Sequence, residues 1–113
     1  MYAWDEYALK LAREALGEGI HESVSVFEAM FLILPFEHSE KVADQEESVQ
    51  LFSDLRNRCP RGLESFGDGM LNFAIRHLNI VEQFGRFPHR NEILGRKSTR
   101  AELEFLESPG SGF

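Results

Sequence analysis

The chain has 113 residues, a formal net charge of −7 and a single cysteine. That length holds one domain at most and buries roughly two thirds of the surface exposed by the unfolded chain. The acidic balance argues against general binding to nucleic acid or to anionic membranes, and one cysteine excludes an internal disulfide.

A lone thiol fits a reducing compartment, so a cytoplasmic location is expected. The start carries no secretory n-region or cleavage pattern. The longest apolar run, residues 29–36, falls far short of the ~20 residues that cross a bilayer. A soluble chain without membrane contact is therefore expected.

Helical periodicity dominates, and no segment shows the period-two alternation of a strand. The expected class is all-α, with four longer helices and a short C-terminal one, arranged as antiparallel helical hairpins because the connections are short. A first helix is expected over residues 4–16, with Trp4, Ala8, Leu11, Ala12 and Ala15 on its buried face and Gly17 as a left-handed cap. A second, over residues 22–34, carries Val26, Phe27, Met30, Phe31 and Leu34 at the spacing of a buried stripe. Pro35 is expected to end it, because a proline pushes the residue before it away from helical angles.

Ser39 is the expected N-cap of a third helix reaching Arg58, with Val42, Val49, Phe52 and Leu55 inward. Residues 59–62 (CPRG) read as a turn. A fourth helix, over residues 68–84, is expected to bury Met70, Phe73, Ala74, His77, Ile80, Val81 and Phe84, and Gly85 stops it. Thr99 and Glu102 form a capping-box pair at the start of the last helix, which packs through Leu103, Phe105 or Leu106. Beyond it, residues 108–112 read as a flexible tail, with Phe113 available to dock.

The segment between the last two helices departs most from the rest of the chain. Residues 84–100, FGRFPHRNEILGRKSTR, hold five Arg/Lys and one acid, whereas the remaining residues hold seven Arg/Lys and eighteen acids. A cationic segment in an acidic chain is a candidate anion site. Arg86, Arg90 and Arg96 each offer a planar fork of donors, His89 adds an imidazole, and Asn91 holds the backbone. The structural alternative pairs Arg86 and Arg90 with Glu40, Glu46 or Glu82, with Phe87-Pro88 plugging the core.

A second group comprises His38, Glu40, Glu46 and His77, with His89. It could supply a carboxylate-held base or zinc-type ligands. No His-x-x-x-His pair is present, however, and a histidine on an apolar face is most simply a core residue. Ser39 and Ser48 lack a nucleophile-elbow sequence, and Cys59 lies between Arg58 and Arg61, which would lower its pKa. The acidic run Asp44–Glu47 reads as a solvated face, with Glu46 available to turn toward Arg90. No metal or cofactor is implied.

His38-Ser39-Glu40, Gln45, Glu46 and Ser48, followed by FGRFPHRN and ILGR-x-ST, resemble a mainly bacterial family catalogued as domain of unknown function 924. The resemblance covers essentially the whole chain and implies compact helical hairpins of tetratricopeptide-like fold. Members are usually longer, with further helices ahead of the matching region, so the chain resembles the C-terminal portion of a family domain. Arg100-Ala101 stands where the family more often has a proline and an acid.

Missing helices would leave an apolar face to be covered by self-association. A homodimer is therefore expected, with its contact on the first two helices. The resulting functional expectation is a non-enzymatic, self-associating helical interaction domain whose basic segment takes a small anion or acidic peptide. The alternative is an enzyme or metal-assisted catalyst using His and Glu in a helical pocket.

Overall fold

The structure, a computed structural model, describes residues 5–108. Trp4, the tail beyond Ser108 and Phe113 therefore lie outside the described residues. Seven α-helices follow in order: α1 Asp5–Gly17, α2 Ile20–Ser23, α3 Val26–Glu37, α4 Val42–Asn57, α5 Glu64–Phe84, α6 Asn91–Leu94 and α7 Arg100–Leu106. A 3-10 turn, Pro88–Arg90, precedes α6, and no strand occurs among the described residues. The all-α class is as expected, including four longer helices and a short last one; α2 and α6 are additional single turns. No described helix is long and apolar enough to cross a membrane.

The long helices pack in succession, α1 on α3, α3 on α4 and α4 on α5. Phe52 and Leu55 of α4 meet Val26, Ala29 and Ile33 of α3 and Ala74 of α5 in the main core. A second core, Ile80, Val81 and Phe87 with Phe84 and Phe105, joins the end of α5 to the basic segment and α7.

Several local expectations are overturned by tertiary contacts. Gly17 remains within α1, and Gly19 takes the positive φ of 73° instead. The helix expected from residue 22 starts later, because Ser25 and Glu28 form a capping box. Pro35 does not end that helix, which continues to Glu37. Phe36 and Glu37 are buried there, and the buried amide of Gln45 donates to the carbonyls of Glu37 and Ser39, both at 2.6 Å. Packing and this external cap outweigh the proline penalty, about 3 kcal/mol in a helix interior.

Ser39 does not cap α4, whose N-cap is Lys41; its hydroxyl accepts from the Lys41 amide and donates to Asp44. Helix α5 starts at Glu64 rather than Asp68, which takes Gly67 and Gly69 into its interior. The expected buried faces also shift. Phe27, Phe31 and Phe73 are exposed by 47%, 66% and 42%, and Leu11, Val42 and Leu103 are exposed as well. Ala29, Ile33 and Phe36 are buried on α3 in their place.

The two α5 glycines differ in what surrounds them. A Cβ on Gly67 would lie 2.7 Å from Cys59 Sγ and 3.3 Å from Arg56 Cα, so the missing side chain sets the approach of α4 to α5. A Cβ on Gly69 would meet nothing within 4 Å. Gly69→Ala should therefore stabilise the fold by about 0.5–1 kcal/mol, the ordinary helix-propensity gain. Gly67→Ala should destabilise it by about 1–3 kcal/mol through overpacking. Thermal unfolding of the pair checks both signs.

Candidate functional site

The basic segment is held by acids from elsewhere in the chain. Arg96 donates through both terminal nitrogens to Glu40, at 2.8 and 3.0 Å, and through Nε to Asn91 Oδ1 at 3.0 Å. The Phe87 amide donates to the same Glu40 carboxylate at 2.7 Å, and Arg96 also reaches the Phe87 carbonyl at 3.2 Å. Burial alone would raise the Glu40 carboxyl, but Arg96, the Phe87 amide and the nearby Arg90 outweigh it and hold it below its ordinary value.

Arg86 forms a fork on Glu102 at 2.8 and 2.7 Å and donates to the Lys97 carbonyl at 2.8 Å. That fork holds the Glu102 carboxyl down at about 2, against its burial and with help from the Thr99 amide and Asn91. Arg90 is buried, lies 4.7 Å over the Phe87 ring and pairs with Asp5 at 3.5 Å. Asn91 bonds Ser98 Oγ at 3.0 Å.

Arg86, Arg90, Asn91 and Arg96 thus have partners within the fold, with Phe87 and Pro88 buried as a plug. Glu46 is exposed, contrary to the inward turn expected of it, and the buried acid on that helix is Asp44. His38, Glu40 and Arg90 border a cavity of about 510 Å³ with Asp5, Glu6 and Asp44. Four carboxylates against Lys41 and Arg90 give it a negative balance.

His77 is buried on α5, as its place on the apolar face implied. Its Nδ1 lies 2.8 Å from the Phe73 carbonyl and therefore carries the proton there, because a carbonyl can only accept. Burial lowers its pKa to about 4, so the imidazole is neutral in ordinary buffers. The nearby carboxylate is Glu37, 3.8 Å from Nδ1, rather than Glu40 or Glu46. His89 stands beside the Phe87 ring at a centroid distance of 5.7 Å, and its pKa is lowered by burial and by Arg90.

Glu37 is the residue that the sequence did not single out. Its side chain is 3% exposed, and burial raises its carboxyl to about 7. It lines a cavity of about 510 Å³ between α3 and α5, with Met30 and Leu34 on one side, Phe66, Met70 and Phe73 on the other and Phe52 of α4 beneath. His38 stands at the same cavity and is exposed. Once α3 runs past Pro35, Met30, Leu34 and Glu37 fall at i, i+4 and i+7, on one helical face. A carboxyl titrating near neutrality can hold or release a proton beside whatever enters. Among the described residues, no three His, Cys, Asp or Glu side chains converge as metal ligands.

The fold and this cavity define a class: an all-α helical domain with an apolar groove lined in part by a buried acid. The chain belongs to the bacterial family of proteins of unknown function DUF924, whose model matches residues 1–110. It is similar to a solved structure of a protein of unknown function from Agrobacterium tumefaciens, with 41% identity and a TM-score of 0.80. The match covers 95% of this chain and 55% of that one, so the chain spans about half the length of that relative. No curated protein matches the chain.

Two pH effects follow from these carboxyls. Glu37 stays protonated in the folded state while the unfolded form ionises near 4.5, so folding stability falls as pH rises from about 4.5 to 7. Glu37→Gln should abolish that fall and be the more stable form above pH 7, by on the order of 3 kcal/mol. Denaturant titrations at pH 5 and 8 measure it. Glu102 has the opposite sign: its depressed pKa stabilises the fold above about 4.5, and that contribution is lost as pH falls toward about 2. Acid unfolding of Glu102→Gln should lack this limb.

Proposed function

We propose that this chain is a ligand-binding helical domain whose recognition site is the groove between α3 and α5. The observation that carries the reading is an apolar cavity of about 510 Å³ with the buried acid Glu37 in its lining. That volume lies within the range of small-molecule sites, which are mostly apolar with a few placed polar groups. A buried acid that lowers stability at neutral pH is a feature expected of a working site rather than of a scaffold. The tetratricopeptide-like resemblance supports the same reading, since stacked hairpins present concave faces to partners.

The basic segment has a supporting role here, as the clamp that fixes the end of α5. An anion at Arg86, His89, Arg90, Asn91 and Arg96 would have to compete with Glu40, Glu102 and Asp5 for the same guanidinium groups. The rival occupant of the groove is a second copy of this chain, favoured by Phe27 and Phe31 exposed beside it. The catalytic alternative, read from the sequence with Glu40 or Glu46, would take Glu37 as its acid instead, with His77 beside it.

Binding of the neutral fluorescent dye N-phenyl-1-naphthylamine tests the reading. Gly69 lines the groove, and its Cβ position is open, so Gly69→Leu should fill the space, keep the fold and weaken dye binding about tenfold or more. Dye binding unchanged by that substitution overturns the groove as the site. Sedimentation equilibrium addresses the rival: a dimer abolished by Phe31→Glu would assign the face to a second copy.

A further inference from the structure

Glu37 is an ionisable group with no opposite charge beside it. Glu37 is among the residues that line the α3–α5 groove, and no lysine or arginine among the described residues pairs with it. The adjacent His77 imidazole supplies no charge, because burial lowers its pKa to about 4. Around this acid the lining consists of thioether, aliphatic and aromatic side chains: Met30, Leu34, Phe52, Phe66, Met70 and Phe73. The Phe66 ring is braced by Phe27 at 5.2 Å and the Phe73 ring by His77 at 4.7 Å.

An acid among aromatic and sulfur-bearing groups is the chemistry that selects organic cations. The carboxylate supplies the counter-charge, the ring faces attract positive charge, and the apolar walls take the carbon body. An anionic ligand would meet the same acid as a like charge. A neutral one would leave its ionisation penalty unrelieved.

Resting on the groove as the binding site, we infer that its ligand is an organic monocation, an ammonium group carried on an aryl or alkyl body, with Glu37 as its counter-ion. Binding then draws the proton off Glu37 and releases it to solvent, leaving an ammonium–carboxylate pair inside the groove. The groups facing this acid are consistent with that exchange. His38 adjoins it on the α3 side, and His77 faces it from α5, with Arg76 and His89 close to that imidazole. Phe52 is the α4 residue beneath the groove and carries no charge, and Arg90 lies near His38. Among the described residues no second acid borders the groove to share the role.

Calorimetry on the 113-residue chain with three isosteric probes, phenethylamine, 2-phenylethanol and 3-phenylpropionate, tests the inference. At pH 8 the amine should bind about tenfold or more tightly than the alcohol, and the carboxylate most weakly. Glu37→Gln should remove the amine's advantage over the alcohol. Equal binding of amine and alcohol overturns the cation assignment while the groove itself stands. Absence of binding by all three overturns both. The native chain supplies a control that does not depend on the variant folding: from pH 5 to 8 amine affinity should rise and alcohol affinity stay level. An amine affinity independent of pH overturns the inference.

Discussion

The Glu40–Arg96 pair is the interaction on which the arrangement of the C-terminal half depends. One carboxylate, just beyond α3, accepts both terminal nitrogens of Arg96 and the backbone amide of Phe87. It therefore fixes the basic segment and its aromatic plug together. The Phe87 ring, fully buried, stands edge-on to His77 at 5.5 Å, and His77 in turn lies behind Glu37. A surface-looking ion pair is thus connected through two rings to the acid in the lining of the groove. Because Arg96 and Glu40 are each only about a quarter exposed, their pairing is less screened than a fully solvated one.

Much of the secondary structure was legible in the sequence, for local reasons. The Thr99–Glu102 capping box and the stop at Gly85 each depend on chemistry within a few residues, and both occur as read. The third helix kept Phe52 and Leu55 inward as their spacing implied. What escaped was set by contacts remote in sequence. Pro35 is carried inside α3 because Gln45, on the next helix, supplies donors to the carbonyls at its end. Nothing in the residues around the proline records that help. Gly67 fell ahead of the expected start of its helix, yet it lies within α5 where Arg56 of α4 comes close.

The site shows the same division. The density of arginines in the basic segment was plain, and so was the resemblance that its motif carries. The partners were less so: Glu40 was offered to Arg86 or Arg90, whereas it pairs with Arg96, 56 residues away, and Arg86 takes Glu102 and Arg90 takes Asp5. Glu37 was missed because the helix was expected to end before it. Allowing three more residues of helix places it on the face of Met30 and Leu34, and an acid at that position was the available signal. Phe27 and Phe31 were read as core from their spacing. Periodicity gives the apolar face of a helix, but not whether a neighbour within the chain covers it.

The close approach at Gly67 has a chemical consequence for the single thiol. Cys59 Sγ sits in the notch left by the absent Gly67 side chain, and the sulfur is only partly exposed. Any atom added to that sulfur, an oxygen or an alkyl group, competes with the α5 backbone for the same space. A modified Cys59 would therefore crowd the contact at Gly67 that sets how closely α4 approaches α5.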